Sequence, residues 1–127
     1  MKKLSIALII LIVVLLFGYF AYSLTQKDIR KMNDDKFKTY TLEKSEVKNL
    51  LGSEQITQVL RTETITFNQE YYTALYKLNP SCASKINIGE TIKTVTFLTQ
   101  TRKMGAIWIL EKNKLACAVV ESWFGED

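Results

Sequence analysis

The chain contains no histidine among its 127 residues. This absence excludes nucleophiles activated by histidine, zinc sites with histidine ligands and haem held by a histidine. Its two cysteines, Cys82 and Cys117, are too few to close a four-ligand metal site by themselves. We therefore expect no metal ion and no cofactor.

Glycine is scarce, and the five glycines are isolated from one another. No glycine-rich loop is therefore present in the sequence to cradle a phosphate group. A serine–lysine hydrolase would carry the spacing Ser-x-x-Lys, whereas Ser81 is followed three positions later by Ser84. We predict no catalytic residues and no enzyme, and an enzyme that uses carboxylates or a Ser/Lys pair is the less favoured alternative.

The chain also lacks a concentrated run of charge of one sign. Its formal net charge is +4, from 17 basic and 13 acidic residues. Nucleic-acid-binding proteins usually show a basic stripe, whereas the basic residues here are interleaved with acidic residues and threonines. We expect no nucleic-acid partner.

The most prominent feature that is present is an apolar run, Leu4–Leu24, without a charged side chain. As a helix it would be roughly 31 Å long, which matches the hydrocarbon core of a bilayer. Because a helix satisfies its own backbone hydrogen bonds, lipid can surround it. We predict a transmembrane signal anchor at residues 1–24 that contacts membrane lipid through Leu4–Leu24, followed by a juxtamembrane stalk at residues 25–40.

Cleavage of this segment is the alternative interpretation. Ala21-Tyr22-Ser23 offers small residues at the two positions that a signal peptidase inspects. An aromatic cluster at the end of the run, Tyr19, Phe20 and Tyr22, is instead typical of a membrane–water interface. We favour the uncleaved anchor, and release by cleavage after Ser23 remains the alternative.

The orientation of such an anchor is ambiguous from charge alone. Five basic residues between Lys27 and Lys38 follow the apolar run and outnumber Lys2 and Lys3 before it. The positive-inside rule alone would leave the large domain in the cytoplasm, but long domains often cross the membrane regardless of flanking charge. We predict a single-pass membrane protein with an extracytoplasmic (periplasmic or cell-surface) domain at residues 41–127.

Short helices and strands are predicted in the first half of this domain. Thr39–Leu42 and Thr62–Phe67 resemble short strands, and Ser45 precedes a helix that ends at Gly52. The spacing of Ile56, Val59 and Leu60 suggests a further helical turn or two. The segment Asn68–Asn79 fits a helix capped by Asn68 and also fits a strand, with the helix favoured because Pro80 follows it.

The second half is rich in β-branched residues. The runs Thr91–Gln100, Gly105–Leu110 and Leu115–Val120 are separated by short polar links. Leu115, Cys117 and Val119 alternate, so we expect all three to face the core. The predicted fold class is α+β: an N-terminal transmembrane helix, then a small domain with short helices and a C-terminal three-stranded antiparallel meander.

The two cysteines are 35 positions apart in the sequence. Behind a membrane-targeting segment, such a pair is typical of a structural disulfide. A redox-active pair would usually be closely spaced. We predict a disulfide between Cys82 and Cys117.

Targeting, a small domain stabilised by a disulfide and no catalytic set lead to one functional hypothesis. We expect a membrane-anchored extracytoplasmic protein-binding or accessory domain without catalytic activity, whose protein partner is unknown. Trp123 and Phe124, apolar residues in an acidic tail, are candidates for partner contact. The alternative is a secreted or periplasmic inhibitor or immunity-type module released after Ser23.

Overall fold

A computed structural model describes the backbone of residues 2–25 and 27–123 and the side chains of residues 5–21 and 27–122. Five helices, a 3-10 turn and four strands follow one another along these described residues. Their bounds are α1 Lys2–Thr25, the 3-10 turn Ile29–Lys31, α2 Asp34–Leu42, α3 Ser45–Leu51, β1 Gln58–Thr66, α4 Gln69–Leu78, α5 Pro80–Ser84, β2 Thr91–Leu98, β3 Arg102–Ile109 and β4 Lys114–Trp123.

The strands form one antiparallel sheet in the order β1-β2-β3-β4. The prediction of a three-stranded meander is therefore wrong in its strand count, although the α+β class is confirmed. The additional strand is β1, which contains the predicted strand Thr62–Phe67 except for its last residue. The sequence did not place that strand in the sheet because two helices, α4 and α5, separate it from its neighbour β2.

The N-terminal prediction is contradicted as well. In the described part of the chain, no helix is long and apolar enough to cross a membrane. The transmembrane helix at Leu4–Leu24, and the single-pass membrane location inferred from it, are corrected accordingly.

The surface of α1 is nevertheless apolar. Its large hydrophobic side chains between Ile6 and Phe20 are 44% to 74% exposed. The chain that follows α1 is packed into the domain. In the segment expected to be a stalk, residues 25–40, Ile29 and Phe37 are fully buried and belong to the core.

Two hydrophobic clusters lie on opposite faces of the sheet. One contains Phe67 and Leu75 with residues of β2, β3 and β4, and α4 and α5 contribute to it. The other surrounds Trp108 and includes Phe37 of α2 and Val47 of α3. The sheet is therefore the middle layer between two sets of short helices, which explains why β3 is buried along almost its whole length.

Packing against Trp108 shows why Thr39–Leu42, which was predicted as a short strand, is helical. Thr41 is fully buried, and its Oγ1 accepts a hydrogen bond of 2.9 Å from Trp108 Nε1. The ring of Tyr40 stacks near Trp108, with centroids 5.5 Å apart. Asn33 caps α2 by accepting a hydrogen bond from the Lys36 N–H at 2.8 Å, so this helix begins at Asp34, five residues before the predicted strand.

Caps also define the other short helices. The predicted end of α3 at Gly52 is confirmed, because Gly52 has a positive φ of 60° that a side chain would disfavour. The open question over Asn68–Asn79 is resolved as helix: the Asn68 side chain accepts from the Tyr71 N–H at 2.8 Å. Pro80 then begins α5.

A β-bulge changes the orientation of residues in β4. The register between β3 and β4 shifts where Ile107 pairs with Cys117 and Trp108 pairs with Leu115, which leaves Ala116 as the extra residue. All three predicted inward-facing residues are buried. Leu115, however, packs in the Trp108 cluster, whereas Cys117 and Val119 pack in the cluster on the other face.

The hairpin between β3 and β4 also holds the segment that follows α1. Asn113, in a left-handed conformation with φ 48°, accepts a hydrogen bond of 2.9 Å from the Ile29 N–H. Its Nδ2 donates to the Lys27 carbonyl oxygen at 3.0 Å. One side chain thus satisfies two backbone groups of a segment more than eighty positions earlier in the chain.

Candidate functional site at the open edge of the sheet

The two edges of the sheet are protected to different degrees. Edge strands present unpaired N–H and C=O groups and are usually covered, bulged or shortened. On β4, residues 115–117 and Val119 are buried and the strand carries two register shifts. On β1, six of nine residues are exposed. The β1 strand is therefore the open edge.

The backbone of β1 presents its free hydrogen-bonding groups at alternate positions. Just beyond the strand, the Phe67 N–H donates to the Glu90 carbonyl oxygen at 2.8 Å. Because antiparallel pairing alternates residue by residue, the backbone N–H and C=O groups of the odd-numbered residues from 61 to 67 point toward β2. The outward N–H and C=O groups then belong to Thr62, Thr64 and Thr66.

Charged side chains stand on the same strand. The Nε of Arg61 lies 3.2 Å from Oε1 of Glu63, and these side chains are 64% and 44% exposed. Arg61 pairs with Thr96 and Glu63 with Thr94 in the register between β1 and β2, so both side chains lie on one face of the sheet. A bulge at Leu60, which is 38% exposed, ends this regular stretch.

A polar patch continues from Glu63 across the face of the sheet. Tyr71 of α4 lies over this region, where burial, followed by the carboxylates of Glu121 and Glu63, raises the pKa of its hydroxyl. Glu121 lies close to Gly105: a Cβ built on Gly105 would approach Glu121 Oε1 to 2.9 Å. Lys103 pairs with Glu121 at 3.6 Å. The patch therefore holds two ion pairs, Lys103 with Glu121 and Arg61 with Glu63.

A cavity of about 370 Å³ lies beside the start of β1. Its lining includes residues 53–57 and Gln100. Glu54, the carboxyl in its wall, accepts a hydrogen bond from Thr101 and pairs with Arg102. The hydrogen bond from Thr101, reinforced by Arg102, holds the pKa of Glu54 below its usual range. A carboxylate held in this way fastens the loop before β1 to the turn between β2 and β3.

Metal-ligating groups are not clustered in the described part of the chain: no three His, Cys, Asp or Glu residues are placed to hold an ion. Cys82 and Cys117 lie at disulfide distance, with Cα atoms 5.6 Å apart. They link α5 to β4 within the cluster that contains Phe67. The predicted contact residues are not described: the side chain of Trp123 and the whole of Phe124 lie outside the described residues.

The open edge was not identified from the sequence. The β-branched residues of Thr62–Phe67 did predict a strand. Whether a strand lies at an edge depends on pairing with distant residues, which alternation does not encode. Arg61 and Glu63 were therefore missed as candidate site residues.

Comparison with known proteins does not extend these observations, because no protein-family model, curated protein or solved structure matches the chain.

Proposed function

We propose that the protein is a non-catalytic protein-binding or accessory domain that acts in an oxidising compartment and binds its partner along β1. The observation that carries this proposal is the open edge: a nine-residue edge strand with six exposed residues. Extended segments of partner proteins add to such edges through main-chain hydrogen bonds.

Two further observations support the proposal. Natural proteins usually protect long edges, since an unprotected edge promotes unwanted association, and here only the β4 edge is largely buried. The Cys82–Cys117 pair at disulfide distance favours an oxidising compartment, because structural disulfides persist there.

Photo-crosslinking at chosen positions of the full chain tests this function in the cells that produce it. In one variant a benzophenone amino acid replaces Thr64, whose backbone N–H and C=O groups point away from β2. In a matched variant it replaces Tyr76, which is 51% exposed on α4. We expect covalent polypeptide adducts from the Thr64 variant and few from the Tyr76 variant.

The adducts are identified by mass spectrometry of the excised bands. Equal adduct yields at the two positions, or no adduct at Thr64, would contradict partner binding along β1. The identity of the adduct, whether another polypeptide or a second copy of this chain, does not affect this outcome.

A further inference from the structure

We infer that the partner seated on β1 is a second copy of this chain, paired antiparallel about a two-fold axis at Thr62 to give a continuous eight-stranded sheet. This inference rests on the proposed function, since it names the occupant of the same edge. Its basis is the charge pattern of the strand and the symmetry that such pairing imposes.

A two-fold axis perpendicular to the sheet restricts the possible registers. It reverses strand direction and keeps each side chain on its own face, so the axis must pass through a residue that faces its own counterpart. Within the regular part of β1 beyond the bulge, the central candidates are Thr62, Glu63 and Thr64.

The three registers differ in the charges that they bring together. An axis at Glu63 places two Glu63 carboxylates opposite each other, which is repulsive. An axis at Thr64 places each Glu63 opposite Ile65. An axis at Thr62 places Arg61 opposite Glu63 of the second copy, and does so twice, so both charged side chains face an opposite charge.

The backbone favours the same arrangement. Thr62 belongs to the residues whose N–H and C=O groups point away from β2, as inferred from the Phe67–Glu90 hydrogen bond. Two such residues that face each other across the axis exchange both of their hydrogen bonds. Charged side chains normally discourage edge-to-edge association. In this register Arg61 and Glu63 select one particular partner, a copy of the same edge.

Charge reversal on the full chain provides the test. In Arg61→Glu all four facing groups become acidic, and in Glu63→Arg all four become basic. Two facing pairs change from attraction to repulsion in each variant, so we expect the dissociation constant of the dimer to rise by about tenfold to a hundredfold. Both substitutions are on exposed side chains, so the fold should be retained.

Mixing the two variants is the decisive measurement. In a mixed pair, the acidic edge of Arg61→Glu faces the basic edge of Glu63→Arg, and both facing pairs are attractive again. Energy transfer between two labelled populations in a mild detergent, which covers the apolar surface of α1, should be low for each variant alone and restored in the mixture. Restoration between different chains cannot arise from the Arg61–Glu63 ion pair within one chain.

The control is charge reversal at Lys112, a half-exposed residue between β3 and β4 whose ion-pair partner is Glu90 at 3.6 Å: Lys112→Glu should leave energy transfer unchanged. Association of each variant as strong as that of the unmodified chain, or a mixture no stronger than its components, overturns the self-pairing. If Thr64 crosslinks to a different polypeptide while mixing has no effect, the proposed function stands and the second copy is rejected.

Discussion

Glu54 shows how much one side chain contributes to the integrity of the candidate edge. Its carboxylate joins the loop before β1 to Thr101 and Arg102, and the Arg102 side chain is only 10% exposed. Arg102 also donates to the Leu51 carbonyl oxygen at 3.2 Å. Removing the carboxylate charge would weaken the ion pair of a nearly buried cation, which is costly.

We predict that Glu54→Gln lowers the free energy of unfolding near neutral pH and that its effect disappears in acid. The pKa of Glu54 is lowered in the folded state from an ordinary value of 4.5. Its stabilising contribution is therefore fully present above that ordinary value and is lost as the pH falls through the lower, folded-state pKa. Urea denaturation of both proteins across this range measures the difference.

The control for Glu54 is Glu43→Gln, which changes an exposed carboxyl at the end of α2 that makes no ion pair among the described residues. It should have a smaller effect at neutral pH. A difference between Glu54→Gln and the unmodified chain that stays constant down to strongly acidic pH would contradict the assigned role of the carboxylate.

Single residues also mark the limit of prediction from sequence. Burial of Trp108 follows from the apolar run around it. Its hydrogen-bond partner, Thr41, lies 67 positions earlier, and no local pattern connects the two residues. The alternating positions of Leu115, Cys117 and Val119 correctly predicted that all three are buried, but wrongly placed them on one face of the sheet. The bulge in β4 moves Leu115 to the other face, and the position of a bulge depends on how the strands pair.

At the scale of elements, prediction succeeded where the signals were local. Gly52 ends α3 and Asn68 begins α4, as their residue types indicate. The helical turns expected around Ile56–Leu60 are wrong, since β1 starts at Gln58 and pairs with Leu98. There tertiary pairing with β2, which satisfies the backbone groups on one side of the strand, outweighs a helical spacing of apolar residues.

The cap of α4 gives a prediction at this scale. Asn68→Ala should lower the free energy of unfolding by about 1 kcal/mol, because the N–H of Tyr71 loses its side-chain acceptor. Asn68→Asp is the matched variant, since it keeps an acceptor at the same place and should retain most of the stability. Chemical denaturation followed by tryptophan fluorescence measures both, and equal losses in the two variants would contradict the capping role.

At the scale of the whole molecule, the pair at Cys82 and Cys117 connects parts of the chain that lie 35 positions apart. We predict that the double variant Cys82→Ala, Cys117→Ala is less stable than the unmodified chain by about 4 kcal/mol, from the loop closure that a bridge imposes on the unfolded chain. Cys82 is 1% exposed and Cys117 is 8% exposed, so lost packing adds to this figure.

Intact mass after alkylation provides the direct check of the bridge. The unreduced protein should take up no alkylating groups under denaturing conditions, and two after reduction. Uptake of two groups without reduction would show free thiols and would remove the argument for an oxidising compartment.

The whole fold was predictable only in part. The meander of β2, β3 and β4 follows from successive β-rich runs joined by short links, so the sequence order already gives the neighbours. The fourth strand joins through a connection that contains α4 and α5, whose path over the sheet depends on the core around Phe67 and Leu75. The position of the candidate edge therefore also depends on that core packing, which explains why no sequence motif marked it.

The two hydrogen bonds between Asn113 and the Lys27–Ile29 segment have a mechanical consequence. The chain that leaves α1 is fastened to the hairpin between β3 and β4 before it enters α2. Tension applied through α1 therefore reaches the hairpin that joins β3 and β4 through the Asn113 side chain, before it reaches α2 along the chain. β1 lies at the opposite edge of the sheet from β4, so the candidate edge is two strands away from the β3–β4 hairpin that receives this tension.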